Sequence, residues 1–296
     1  MVGGMDFFDG INHALATVST GGFSTKNASV AHFDQPFIQY VIIIFMFLSG
    51  INFSLTYFGL KGKLKKVWKN EEFRYYLGVI LIATLVTTLA VMMHRGGGDF
   101  ERSFRDSLFQ VIAVVTTTGF VSADFTTWGV MENGMYVVLP FTMTLFFLLM
   151  FAGGSAGSTA GGVKLVRHAI ILKNSMLEFK RLVHPSAIVP VRLSGQAVTQ
   201  QIVFNVMAFL LIYLVLFCIG AIFMASIGHD FLTSIGASAS CIGNVGPGLG
   251  GVGPVENYAA IPAAGKLFLS FQMLVGRLEL FTVLILLSPS FWRLNK

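Results

Sequence analysis

Thr116-Thr117-Thr118-Gly119-Phe120 closes an apolar segment, Phe104–Val115, of about a dozen residues. A helix needs roughly 20 apolar residues to cross a bilayer, so this segment reads as a re-entrant helix that enters the membrane and turns back. Irregular backbone at that depth cannot face lipid, because each unpaired N–H or C=O group is costly in hydrocarbon. The turn at 116–120 must therefore line a cavity. Two further segments share the pattern. Phe7–Val18 ends in Ser19-Thr20-Gly21-Gly22-Phe23, and Phe231–Cys241 runs into Gly243-Asn244-Val245-Gly246-Pro247-Gly248. TVSTGGFST (17–25) aligns with VTTTGFVSA (115–123), placing Gly22 on Gly119 and Phe23 on Phe120.

Around these segments lie stretches long enough to span: Phe37–Leu60, Phe73–Met93, Tyr136–Phe151, Val198–Ile227 and Leu267–Leu287. The third is short, meets a glycine-rich break and resumes as Val163–Leu182. The order spanning helix, half-helix, glycine turn, spanning helix occurs twice in full and once, at the start, without its first helix. Composition agrees. The chain is 54% hydrophobic and 11% charged, with a mean hydropathy of +0.75; a soluble domain carries about 25% charged residues. The net charge of +6 would suggest nucleic acid in a soluble protein, but here the basic residues sit in short loops and read as membrane orientation. Lys61, Lys63, Lys65, Lys66, Lys69, Lys164, Arg167, Lys173, Lys180, Arg181, Arg192, Arg293 and Lys296 are expected on the cytoplasmic side. The acids Asp6, Asp9, Asp99, Glu101, Asp106, Asp124, Glu132, Asp230 and Glu256 are expected outside. Arg95, Arg102 and Arg105 depart from that division. Cys218 and Cys241 lie in apolar segments and predict no disulfide framework, and the N-terminus has no signal-peptide pattern.

A turn of this kind presents carbonyl oxygens that can replace the water shell of a cation. Glycine serves where the carbonyls require φ > 0, and the C-terminal end of the preceding half-helix carries the negative end of its dipole. The turns hold no charged side chains, which fits a carbonyl filter better than a ring of carboxylates.

With these motifs quoted, the chain resembles the Trk/Ktr/HKT potassium-transporter family, closest to its TrkH branch. The resemblance rests on STGGF (19–23), TTTGF (116–120), GNVGPG (243–248), GGSAGSTAGG (153–162), VGRLE (275–279) and SPSFW (288–292), in that order across the chain. It implies an all-α integral membrane fold with repeats of outer helix, pore half-helix, filter loop and inner helix around one pore. The family has four such repeats, and about two and a half are expected here within a single, incomplete transport domain (1–296). The second repeat, without its outer helix, would be 1–60, the third 73–182 with a broken inner helix, and the fourth 196–291. The resemblance further implies that the chain lacks an N-terminal part of the family pattern.

The function implied is potassium uptake across the bacterial cytoplasmic membrane, with K⁺ as the transported ion, no cofactor in this chain and no enzymatic activity. The filter would comprise Ser19, Thr20, Gly21, Gly22 and Phe23; Thr116, Thr117, Thr118, Gly119 and Phe120; and Asn244, Val245, Gly246 and Pro247. The alternatives are a Na⁺-conducting or Na⁺-coupled relative, and a non-conducting fragment that needs another chain. A homodimer and a cytoplasmic NAD- or ATP-binding regulatory ring are the implied partners, beside membrane lipid and with no nucleic acid.

GGSAGSTAGG interrupts an inner helix, and glycine costs roughly 1 kcal/mol against alanine in a helix interior. Close packing through small residues is one reading; the resemblance implies instead an intramembrane gate, with Gly153, Gly154, Ser155, Gly157, Gly161 and Gly162. Gly153–Gly157 also fits the G-x-S-x-G elbow of serine hydrolases, but an apolar helix precedes it where a strand is required. Gly157–Lys164 is off by one residue from a phosphate loop and lacks its Ser or Thr. Arg277 falls near the middle of the last expected span, where an arginine is costly and usually functional. Glu279, two positions on, points elsewhere on a helix. The resemblance implies that Arg277 is a barrier beneath the filter; the alternative is a structural arginine on carbonyls of the broken helix. Asn52, Asn205 and Gln272 read as interhelical hydrogen-bonding residues, and His13 as packing or capping.

Overall fold

The computed structural model describes residues 3–94, 98–128, 130–132, 135–137, 140–184, 189–278 and 280–293. The expected positions Arg95, Glu279 and Lys296, and 138–139 of the third span, lie outside them. The helices in chain order are α1 (Phe7–Val18), α2 (Pro36–Ser49), α3 (Phe53–Leu60), α4 (Leu64–Lys69), α5 (Glu71–His94), α6 (Phe100–Val115), α7 (Pro140–Leu149), α8 (Leu165–Val183), α9 (Gln200–Ser226), α10 (Phe231–Gly243), α11 (Ala263–Arg277), α12 (Leu280–Leu287) and α13 (Pro289–Trp292). The described residues also form two short antiparallel hairpins, β1–β2 (Val130–Glu132, Met135–Val137) and β3–β4 (Arg192–Leu193, Gln196–Ala197), and short 3-10 turns at Ser29–His32, Gly250–Val252 and Tyr258–Ala260.

The fold is that of a multi-pass α-helical membrane protein. α5 through Met93 and α9 are each long and apolar enough to cross a bilayer. Both turn their larger apolar side chains outward. Leu81, Ile82, Leu85 and Leu89 on α5 and Phe204, Leu211, Val215 and Ile222 on α9 are exposed, an apolar surface that water would not tolerate and lipid favours. Inside, α5 and α6 bury Thr84, Thr87, Thr88, Ser103, Ser107 and Gln110 beside apolar residues such as Ile80, Phe109 and Ile112.

The three half-helices α1, α6 and α10 share one construction. Each opens on an aspartate whose carboxylate accepts a backbone N–H of the first turn: Asp6 from Asp9, Asp99 from Glu101 and Asp230 from Thr233. This satisfies donors that no helix can pair internally. The Thr233 hydrogen bonds hold the Asp230 carboxyl below the usual carboxylate range. α6 begins at Phe100, one turn before the expected Phe104, because Asp99 supplies the cap. α6 packs between α5 and α2, and α10 between α9 and α11, so the second and third half-helices are flanked on two sides.

Three expected spans need correction. Phe37–Leu60 is not one rod: α2 and α3 meet at 114°. Gly50 lets the two helices meet closely, since an added Cβ would stand 2.4 Å from the Tyr76 hydroxyl and force that side chain to shift. Asn52 caps α3 by accepting the Ser54 N–H. Leu267–Leu287 likewise bends by 116° between α11 and α12, so Arg277 stands at the end of a helix and not in the middle of one. The third span is shorter than expected, since Met135–Val137 is strand and the helix starts at Pro140. The helix resuming after the break, α8, is joined to the start of α5 and the β3–β4 hairpin. Lys173 bonds the Glu71 carboxylate at 2.5 Å and the Arg192 carbonyl at 2.9 Å.

Candidate functional site

Each half-helix ends in the same backbone motif. The residue after the last turn is left-handed without being glycine: Thr20 at φ 52°, Thr117 at φ 54° and Asn244 at φ 56°. Its N–H returns to a carbonyl three residues back (Thr17, Val114, Cys241), and the next N–H reaches five back, from Gly21 to Ala16, Thr118 to Ala113 and Val245 to Ser240. This pair of bonds is the Schellman closure of a helix C-terminus. Two residues further on, the chain is left-handed again at Gly22 (φ 67°), Gly119 (φ 76°) and Gly246 (φ 111°). The sequence alignment of the first two turns is thus an alignment of backbone, and GNVG is its third copy.

The turns are packed against one another. A Cβ on Gly22 would lie 1.8 Å from the Thr118 carbonyl oxygen, and one on Gly119 would lie 1.9 Å from that of Val245. Glycine is required at both positions for close approach as well as for φ. Ser19–Phe23, Thr118, Gly119 and Asn244–Gly246 line one open cavity of about 590 Å³, whose lining also includes Tyr258, Lys266, Ser270, Met273 and Arg277. Thr116, Thr117, Phe120 and Pro247 do not line it. Thr116 bonds the Ile112 carbonyl and pairs with Thr118 at 2.8 Å. Phe120 is fully buried and stacks on His13, ring centroids 5.7 Å apart, whereas Phe23 is 80% exposed. His13 both packs and tethers: its ring nitrogens meet the Asp9 carbonyl at 2.7 Å and the Ser24 hydroxyl at 2.9 Å.

The glycine-rich break lies directly against these turns. Thr20 donates to the Thr159 carbonyl at 2.9 Å, and the Gly161 N–H donates to the Thr117 hydroxyl at 2.6 Å. The break is also locked to the α2–α3 bend. Ser155 and Thr159 N–H groups donate to the Gly50 and Ser49 carbonyls, the Phe53 N–H to Gly157, and the Asn52 amide to Ala156 at 2.6 Å. Two interrupted helices therefore satisfy each other's freed backbone groups, as membrane depth demands. Glu72, 8% exposed, accepts the Ala156 N–H at 2.5 Å. Left-handed glycines at 153, 157 and 162 make the folds of the loop.

A second cavity of about 360 Å³ lies along this loop, lined by Gly157–Gly162, Lys164, Arg167, Phe209, Gly276 and Arg277. Lys164 donates to the Ala160 carbonyl, and Arg167 lies over the Phe209 ring, 3.9 Å from its centroid. Gly153, Gly154 and Ser155 anchor the loop and do not line this cavity. Arg277 lines both cavities. The residue is exposed and stands at a helix C-terminus, where a cation is favoured. Gly276 beside it permits the approach, since a Cβ there would stand 2.0 Å from the Ile242 carbonyl oxygen.

A family model described as TrkH, cation transport protein, matches residues 2–294. The chain belongs to the TrkH family. Relatives include the Trk system potassium uptake protein TrkH of Escherichia coli (strain K12), 35% identical over 98% of this chain and 58% of the relative. TrkG of the same organism is 34% identical over 98% of this chain and 57% of the relative. The crystal structure of the potassium transporter TrkH from Vibrio parahaemolyticus superposes with a TM-score of 0.88 at 34% identity, covering 98% of this chain and 60% of that one. The chain thus spans under two thirds of the length of these TrkH relatives.

Several residues around the site were missed in the sequence. Glu72 carried the one available signal, an acid in the first turn of an apolar span among basic neighbours. Thr159 and Gly276 fell within the quoted motifs GGSAGSTAGG and VGRLE without a role of their own; Ser240 and Tyr258 carried no signal, because their roles depend on what the folded chain brings to them. Of the three span residues read as interhelical, Gln272 bonds the Leu216 carbonyl and Ser238, and Asn52 bonds across to the break. Asn205 instead pairs with Gln201 on its own helix.

Proposed function

We propose that this chain forms a potassium-selective conduction path of a bacterial Trk-type uptake system in the cytoplasmic membrane. The observation that carries the proposal is the threefold recurrence of a Schellman closure followed by a left-handed glycine, with the three turns abutting around one cavity. Backbone carbonyls of Ser19–Phe23, Thr118, Gly119 and Asn244–Gly246, the turn residues that line this cavity, stand in for water around a dehydrated K⁺. The half-helices direct their negative ends toward it. Residues 1–60, 73–182 and 196–291 act as the repeat units that hold these turns.

The loop 153–162 acts as the gate. Its Thr159 carbonyl and Gly161 N–H are tied to the undersides of the first two turns, so a shift of the loop is felt at both. Arg277 contributes a positive barrier between the cavity at the turns and the cavity at the loop. Among the described residues it has no ion-pair partner to neutralise it. The chain acts as a transporter and not an enzyme, and K⁺ is its cargo. A homodimer, and a cytoplasmic nucleotide-binding regulator meeting the basic inner loops, complete the proposed assembly.

The test is growth of a potassium-uptake-deficient bacterium at low external K⁺. The chain is expressed alone and together with the part of a TrkH relative that it does not cover. Rescue that Gly119→Ala abolishes at equal expression supports the reading. Rescue by neither form, or rescue indifferent to Gly119, overturns it.

A further inference from the structure

The three turns are not equivalent in how their glycine carbonyls are held. The Gly246 carbonyl oxygen accepts two hydroxyl hydrogen bonds, from Ser240 at 2.7 Å and Tyr258 at 2.8 Å. The Gly246 N–H also donates back to the Ser240 hydroxyl at 3.0 Å. Six residues before Gly119 and Gly22, where the third turn has Ser240, the chain has Ala113 and Ala16. Among the described residues, the Gly22 and Gly119 carbonyls accept no hydrogen bond. Tyr258 comes from the return segment outside the half-helix, in a short 3-10 turn whose start is capped by Asn257. Its ring packs on a cluster that includes Met224, Ala237, Cys241 and Leu269. The ring is thus seated between α9, α10 and α11, which sets where its hydroxyl can reach.

A carbonyl oxygen has two lone pairs; hydroxyls occupy both directions at Gly246, which leaves a weaker ion–dipole contact along the C=O axis. Two donors lower its field as a cation ligand and stop it from following a smaller ion. Cavity size and ligand field strength are the two accounts of K⁺ over Na⁺ preference in carbonyl filters. On either account a weakened, immobile ligand disfavours Na⁺ more than K⁺. We infer that Tyr258, acting with Ser240 through the Gly246 carbonyl, is a positioning residue that sets ion preference at the third turn. The inference rests on the proposed filter and adds a specificity determinant outside the half-helices and their turns.

The experiment uses the full chain purified in lipid nanodiscs. The concentrations of KCl and NaCl that half-maximally raise the thermal unfolding midpoint give a K⁺-to-Na⁺ preference, since a ion bound only by the folded state stabilises it by mass action. Tyr258→Phe keeps the ring and removes the donor, and is expected to lower that preference roughly two- to tenfold, the weight of one neutral hydrogen bond. Ser240→Ala is the second variant and moves the ratio the same way. Gly119→Ala is the control for the filter itself. If Gly119→Ala loses the preference while Tyr258→Phe and Ser240→Ala keep it, the inference is wrong and the filter stands. A lower midpoint without added ion at an unchanged ratio makes Tyr258 a structural brace and also overturns it. If the unaltered chain shows no preference, or Gly119→Ala retains it, the filter reading fails and takes the inference with it.

Discussion

Replacing Gly119 by alanine perturbs the centre of the site in two separable ways. Alanine must adopt φ 76°, a left-handed conformation costing about 1–2 kcal/mol for a residue with a Cβ. The new methyl also starts 1.9 Å from the Val245 carbonyl oxygen, and the contact must open to at least 3.0 Å. The third turn, or the second, must move by the difference of about 1.1 Å. Overpacking of this kind costs about 1–3 kcal/mol. Gly246→Ala separates the two effects. Its φ is 111°, but the atom nearest to its added Cβ is 3.8 Å away, so only conformational strain applies. Gly119→Ala should therefore be worse than Gly246→Ala by about 1–3 kcal/mol, or roughly five- to 150-fold in K⁺ affinity or flux. Gly22→Ala should fall with Gly119→Ala, its Cβ standing 1.8 Å from the Thr118 carbonyl oxygen. The assay is uptake of Rb⁺, with Na⁺ as competitor, at matched membrane expression. If Gly246→Ala proves as damaging as Gly119→Ala, the turns do not pack as described and the argument from mutual contact is refuted.

Further outcomes follow from the same contacts. Arg277→Ala should raise Rb⁺ flux by removing the positive charge shared by the two cavities; a fall at equal expression would make the arginine a structural element. Thr117→Val removes the acceptor of the Gly161 N–H and should loosen the gate loop, read as higher flux in the absence of a regulator; unchanged flux would separate the loop from the filter. Glu72→Gln weakens the charge-assisted bond to Ala156 and should lower stability by about 1–2 kcal/mol, checked by thermal unfolding in detergent; an unaltered midpoint would show that this anchor is dispensable.

Much of the arrangement was readable in the chain because a bilayer imposes few alternatives. The boundaries of α1 coincide with the apolar segment 7–18, and the turn motifs fall where glycine follows a helix too short to cross. The bends after Ser49 and after Arg277 were not readable. Both interrupted stretches remain apolar on either side, and freed backbone groups find partners elsewhere: residues 153–159 for the first, and the Asn244 amide on the Met273 carbonyl for the second. Pro247 and Phe120 belong to the turns by sequence but not to the cavity, because chain direction alone does not say which side chains a left-handed residue turns inward. Ser240 and Tyr258 are invisible for a related reason. Their partner is a single carbonyl, and that carbonyl is reachable only after α10 has closed and the return segment has come back over it.

The most direct measurement is an experimental structure of the protein equilibrated with Rb⁺ or Tl⁺ in place of K⁺, located by anomalous scattering. The account predicts a peak within the cavity bounded by Gly21, Gly22, Thr118, Gly119, Val245 and Gly246, diminished by competing K⁺ and not by equal Na⁺. Heavy-ion density confined to the acidic caps, with that cavity empty, would contradict it.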